Sequence, residues 1–351
     1  MPASGKTSGD GAGRRGPLLV DLALQGGGSH GAFTWGVLDR MLEADWLEYE
    51  AISGTSAGAM NAAVVAHGIA AGGRAGARAA LETFWRRISR AAAFSPFQRG
   101  LWDRLTGRWT LDNSPTYLAA DIIARFVSPY AFGHQARNPL RDILEDMIDF
   151  KALAEGPVKL FITATNVRTG RGRVFRRHEI TPDVLLASAC LPTLYQAVEI
   201  DGEPYWDGGF SGNPTLTPLV NECEAHDVVL VQINPVERPA APTDAREIQS
   251  RINEVSFNAT LLKELRMMAL LRQSAAGSEG ECGHWGSMRM HRITSDLMVE
   301  LGASSKLNAE WAFLTMLRDE GRRAAQRFAE THRDAIGQRS TFDIDDLLLG
   351  V

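Results

Sequence analysis

A chain of 351 residues, 44% hydrophobic and 23% charged, has an ordinary globular composition that excludes collagen-like, coiled-coil and wholly disordered readings. Its formal net charge of -5 gives no overall attraction for phosphate backbones, and no local basic patch stands out, so no nucleic-acid partner is expected. Three widely spaced cysteines, Cys190, Cys223 and Cys282, make neither a disulfide framework nor a CxxC zinc pattern, which points to a reducing compartment.

In chain order, residues 1–16 are rich in Gly, Ser and basic residues and are expected to form a flexible tail. The pair Arg14-Arg15 matches the start of a twin-arginine export signal, but the apolar run behind it is short, carries Asp21 and Gln25, and lacks a small-residue cleavage site. No run approaches the roughly 18 apolar residues of a spanning helix. The expectation is a cytoplasmic protein with no signal peptide or transmembrane helix, at most peripheral at membranes. Residues 18–25, LLVDLALQ, suit a strand buried on both faces that ends at Gly26-Gly27-Gly28. Phe33, Val37, Leu38, Met41 and Leu42 then recur at helical spacing through 31–44. Ala51-Ile52-Ser53 runs into Gly54-Thr55-Ser56-Ala57-Gly58, followed by an Ala-rich stretch at 59–66: strand, tight turn, helix again.

Helices are predicted at 115–126, 139–154 and 182–190, the last opened by Thr181-Pro182, and central strands at 158–167 and 227–234. Asp201-Gly202 makes a hairpin turn whose second strand leads to Asp207-Gly208-Gly209. After a Pro/Ala-rich linker comes an amphipathic helix at 245–272 with Ile248, Ile252, Val255, Leu262, Leu265 and Ala269 on one face. A second helix runs through Trp311, Leu314 and Leu317, with a loop at 275–287 between the two; there is no internal repeat. The alternation predicts an α/β fold: a mostly parallel central sheet, helices on both faces, and a helical C-terminal extension. One domain is expected over 17–240, with 241–351 packed on it.

The chemistry centres on Gly54-Thr55-Ser56-Ala57-Gly58. A G-x-S-x-G sequence at a strand-to-helix turn pushes a serine hydroxyl out of the sheet edge, with a helix N-terminus behind it. A serine nucleophile needs a base and N–H donors for the oxyanion. The backbone amides of Gly26, Gly27 and Gly28, joined by that of Ala57, are the candidate donors. Two other readings fit these residues. Gly26-x-Gly28-x-x-Gly31 also satisfies the dinucleotide pattern GxGxxG, with Glu48 or Glu50 at the distance of a ribose-binding acid, which would make this a nucleotide- or lipid-binding module without turnover. Alternatively, Ser56, Asp207 and a later His226, His284, His291 or His332 follow the order of a Ser-His-Asp triad.

Four blocks in order, GGGSHG (26–31), GTSAG (54–58), ASACLP (187–192) and DGG (207–209), resemble the patatin-like phospholipase family over about residues 18–235. The resemblance implies a three-layer α/β/α catalytic domain that hydrolyses lipid acyl esters with a Ser-Asp dyad and no metal or other cofactor. Position by position, Ser56 becomes the nucleophile, Asp207 the base, and Gly26, Gly27, Gly28 and Ala57 the oxyanion hole, with Gly31, Gly54, Gly58, Gly208 and Gly209 shaping the turns. A carboxylate shielded from water is a stronger base, so the aspartate suits the role. The family usually has Arg or Lys where this chain has His30, which bears on the pH profile. Phe94, Phe97, Leu101, Trp102, Leu105 and Trp109 on 91–111 fit equally an acyl-pocket wall or lid at a membrane surface and a plain cover for the sheet. The mixed charges of the 245–272 helix favour packing on its own domain.

Overall fold

The computed structural model describes residues 16–348 except 94, 96, 133–137 and 275–280. Phe94 and the N-terminal tail up to residue 15 therefore lie outside the described residues. The described residues contain eight strands: β1 Leu18–Leu24, β2 Leu47–Gly54, β3 Lys159–Asn166, β4 Gly172–Arg176, β5 Val198–Ile200, β6 Glu203–Asp207, β7 Asp227–Val231 and β8 Arg289–Ile293. They form one sheet in the order β5-β6-β3-β2-β1-β7-β8, with β4 also paired to β3. The pairs β3/β2, β2/β1, β1/β7 and β7/β8 are parallel; those joining β3 to β4, β3 to β6, and β5 to β6 are antiparallel.

The nearly continuous apolar strands have to cover both faces, and the two-residue side-chain period divides them between two cores. Leu22, Leu24, Ile52, Ile162, Val229 and Val231 face the helices Gly31–Met41, Ala57–Ala92 and Trp311–His332. Ala23, Ala51, Phe161, Val228, Leu230 and Met290 face Thr217–Glu222 and Ala245–Ser274. Each fully buried Leu or Val contributes about 1.5–3 kcal/mol relative to exposure, so both layers are held by the same short strands.

Several elements depart from the sequence expectation. The Ala-rich helix continues to Ala92, broken at Gly72 and Gly73, where Gly73 takes φ 61°. The expected 139–154 helix is two, Pro139–Met147 and Phe150–Glu155, the second opened by Asp149, whose side chain accepts from the amides of Lys151 and Ala152. The C-terminal region is not wholly helical, since β8 joins the sheet edge; its sequence, Arg-Met-His-Arg-Ile, is too polar to signal a strand. Glu281–Ser287, expected in a loop, is helical. On the long helix Ala245–Ser274 the predicted stripe holds at Leu265 and Ala269, but Ile248, Ile252 and Val255 are exposed while Glu254 and Asn258 point inward. The reason is the polar surface they meet: Arg238 pairs with Glu254, and Gln25 donates to Asn258 Oδ1 at 3.2 Å.

Candidate active site

The site is assembled along one edge of β3. Parallel β2 ends with Gly54 opposite Ile162, and antiparallel β6 ends with Asp207 opposite Ala164, two residues further along; β4 occupies the other edge. Two strands thus arrive head to head, and the turns that leave them carry Ser56 and Asp207.

At the first turn Ser56 has φ 55° and ψ -122°, sparsely populated for a side-chain-bearing residue and worth about 1–3 kcal/mol of strain. The helix Ala57–Ala92 starts immediately behind it, so the partial positive charge of that N-terminus lies beside the hydroxyl. The turn closes tightly: a Cβ on Gly58 would stand 2.2 Å from the Leu24 carbonyl oxygen, and Gly54 lies against the Gly58 backbone. Ser188 braces it from below, accepting the Ser56 amide at 2.9 Å and donating its own hydroxyl to Thr163 O at 2.7 Å. Ser56 keeps 9% exposure.

Asp207 is 1% exposed. Its amide donates to Cys190 O at 2.8 Å, its carbonyl accepts from Thr165 Oγ1, and its Oδ1 accepts the Gly209 amide at 2.7 Å. Burial pushes its pKa up to about 7, against the downward pull of the Gly209 amide, the Ser56 side chain and the positive charge of Lys306. Gly208 packs on the Thr163 carbonyl and Gly209 under Phe257 of the helix Ala245–Ser274.

The glycine loop lies directly beside the serine, with the Cβ position of Gly26 2.6 Å from Ser56 Cβ. The loop is not uniform. The Gly26 amide is already engaged, donating to Asn213 Oδ1 at 2.7 Å, which removes it from the set of free oxyanion donors. Gly27, Gly28 and Ala57 have no such bond among the described residues, so three of the four expected amides are available. Gly31 opens the helix Gly31–Met41 against Ala57. His30 is buried, its Nε2 2.7 Å from Ser305 Oγ; burial first, then the charges of Lys306 and Arg238, hold its pKa well below the imidazole range. Since Ser305 Oγ donates to Gly302 O, it accepts from His30, and the ring is neutral with its proton on Nε2.

The histidines considered for a triad stand elsewhere. His291 and His226 belong to the amino end of the β7/β8 pair, His291 bonded to Asp227 Oδ1 at 2.9 Å and His226 to Ser287 and stacked on His284; His332 ends the helix Trp311–His332 against Phe328. Glu50 is taken by Lys159 and by the amides of Glu224 and Ala225, and Glu48 sits still nearer the start of β2, so neither reaches the loop as a ribose ligand would. Of the 91–111 aromatics, Trp109 stacks on Phe313, Phe97 meets Tyr117, and Trp102 and Leu105 are 64% and 73% exposed.

Sequence reasoning passed over Ser188, Asn213 and Lys306. Ser188 carried a signal inside the ASACLP block; Asn213 and Lys306 sit in segments with no local motif.

No curated protein matches this chain. Among solved structures, the crystal structure of VipD from Legionella pneumophila is similar at 14% identity and a TM-score of 0.35, covering 91% of this chain and 67% of that one. The family model Patatin, described as patatin-like phospholipase, matches residues 22–220, close to the 18–235 expected from the four motif blocks. That span is more than half of the chain and takes in Ser56, Ser188 and Asp207, so the protein belongs to the patatin-like phospholipases, a family of lipid acyl hydrolases.

Proposed function

We propose that this hydrolase cleaves the acyl ester bonds of phospholipids, lysophospholipids or neutral lipids through an acyl-Ser56 intermediate, with Asp207 as its base. The observation that carries this reading is the convergence, on one edge of β3, of a strained Ser56 at a helix N-terminus and a buried carboxylate, Asp207, whose affinity for protons burial has raised to about pH 7. In the first step Ser56 Oγ forms a bond to the ester carbonyl carbon, its proton passes to Asp207, and the carbonyl electron pair moves onto oxygen, where the amides of Gly27, Gly28 and Ala57 receive it. The tetrahedral species collapses as Asp207 returns the proton to the leaving alcohol. Water then attacks acyl-Ser56, again giving its proton to Asp207, and the fatty acid departs as the Ser56 hydroxyl is restored. No histidine and no metal ion has a part in these steps.

Exposed Trp102, Leu105, Ile122, Ile123 and Tyr130 support contact with a lipid surface by residues 101–130. No helix among the described residues is long and apolar enough to cross a membrane; we place the protein in the cytoplasm, visiting the bilayer from its surface. The deciding experiment measures chromophore release from short- and medium-chain acyl esters, with a chelator present, by wild type, Ser56→Ala and Asp207→Asn. Turnover that survives chelation and disappears in both variants is expected; variants as active as wild type overturn the dyad.

A further inference from the structure

The glycine loop is closed by a segment that lies outside the matched family region. The 3-10 turn Ala303–Leu307 sits on it: the carbonyl oxygen of Lys306 is 2.4 Å from where a Cβ on Gly28 would be, and Gly28 takes φ +57°. Only glycine permits both that backbone conformation and that approach. On the neighbouring residue, Ser305 holds His30.

We propose that Lys306 is a positioning residue of the hydrolytic site, bracing the glycine loop through Asn234 and placing a positive charge beside the Ser56-Asp207 pair. The proposal rests on the dyad reading above. Lys306 Nζ donates to Asn234 Oδ1 at 2.8 Å, and Asn234 Nδ2 donates in turn to Gly26 O at 2.7 Å. The Asn234 amide is fixed from its other side as well, its backbone N–H bonded to Gln25 Oε1 at 2.9 Å. An ammonium at the head of this chain orients the carboxamide so that its NH2 group faces the loop carbonyl.

The charges around Lys306 are few: burial and Arg238 draw its pKa below the ordinary lysine value, while Glu254 and Asp207 favour its protonated form. Arg238 is matched by Glu254, at 2.5 Å between Nη2 and Oε1. His30 is neutral, because burial and the charges of Lys306 and Arg238 hold its pKa well below the imidazole range. Among the described residues no carboxylate stands within ion-pair distance of Lys306, whose remaining counter-charges, Glu254 and Asp207, act through space. On the far side of Asp207, Cys190 is a thiol pushed up to about 12 by burial and by the aspartate, so it carries no charge near neutrality. Lys306 is therefore the cation that answers the carboxylate before attack and the oxyanion after it, as the negative charge moves from Asp207 to the substrate oxygen.

The test follows kcat/KM for a soluble acyl ester against pH in wild type, Lys306→Met and Lys306→Arg, with fluorophosphonate labelling to count competent Ser56. Removing the cation weakens the pull that lowers the Asp207 pKa. The acid limb of the Lys306→Met profile is expected to move upward by roughly half a pH unit or more, with about tenfold loss at pH 7. Lys306→Arg should return the limb toward its wild-type position. A purely structural role predicts fewer labelled serines and a uniform loss at every pH with the limb unmoved, and that result overturns the proposal while leaving the dyad intact. Absence of fluorophosphonate on wild-type Ser56 overturns both. Should Lys306→Met fail to fold, Lys306→Gln, which keeps an N–H donor and removes only the charge, is measured by the same criteria.

Discussion

Two buried aspartates stand at opposite ends of the same sheet. Asp227 begins β7, where Arg289, His291 and the Gly337 amide surround its carboxylate and bring its pKa down to about 2. Asp207 ends β6, where the Gly209 amide donates to it, Ser56 and Lys306 draw its pKa down, and burial takes it up to about 7. Burial opposes ionisation at both; the number of donors and cations decides which effect wins. The crowded carboxylate is an anchor, and the sparsely partnered one retains the proton affinity that a base needs. An Asp-His pair is present in the chain, yet it sits at the end of the sheet away from the serine, a reminder that the residue types of a triad do not make one.

The largest expected effects break the comparison outright. Asp207→Asn and Ser56→Ala should each lower ester turnover by a factor on the order of 10^4 while leaving the melting temperature close to wild type, as read by circular dichroism. Asp227→Asn should do the converse: turnover per folded molecule stays near wild type, but stability falls by about 3 kcal/mol because Arg289 loses its counter-charge and buried His291 a hydrogen-bond acceptor.

Changing pH sharpens the same contrast. In the proposed mechanism the base must be ionised to accept the serine proton, so kcat/KM should rise through an apparent pKa of about 7 as Asp207 loses its own proton. Asp227 acts on stability instead. Its folded pKa lies below the carboxylate's ordinary 3.8, so its contribution is complete above that value and is lost as pH falls through about 2. Melting curves between pH 5 and pH 2 should show that loss in wild type and a smaller one in Asp227→Asn. The mildest change is outside both sites: the double variant Trp102→Ser with Leu105→Ser should hydrolyse soluble esters normally and phospholipid vesicles several-fold more slowly, roughly the loss expected for two exposed apolar anchors. Equal rates on vesicles would remove this segment from the membrane contact.

The sequence made the central strands legible because β1, β3 and β7 are buried on both faces and therefore carry nearly continuous apolar runs. It concealed β8 because an edge strand that supports Asp227 needs Arg289 and His291. The glycine-rich turns announced themselves because each needs a residue without a side chain close to another backbone. Which glycine amides were free could not be read from the letters: Gly26 and Gly27 are identical in sequence, and only the fold brings Asn213 to one of them. Lys306 was invisible for a similar reason, since its contacts with Asn234 and Gly28 are distant in sequence.

The spacing of the two chemical partners is a count kept by a strand that supplies neither of them. Because β2 stops at Ile162 and β6 at Ala164 on a shared edge, β3 works as a ruler graduated in residues, about 3.3 Å to each. Its own side chains point up and down into the two cores, while its edge keeps the interval from serine to aspartate. The packing that stabilises the domain and the measurement that spaces its chemistry are therefore made by different directions of one segment, so a residue inserted between Ile162 and Ala164 would change the interval even where both cores could be repacked.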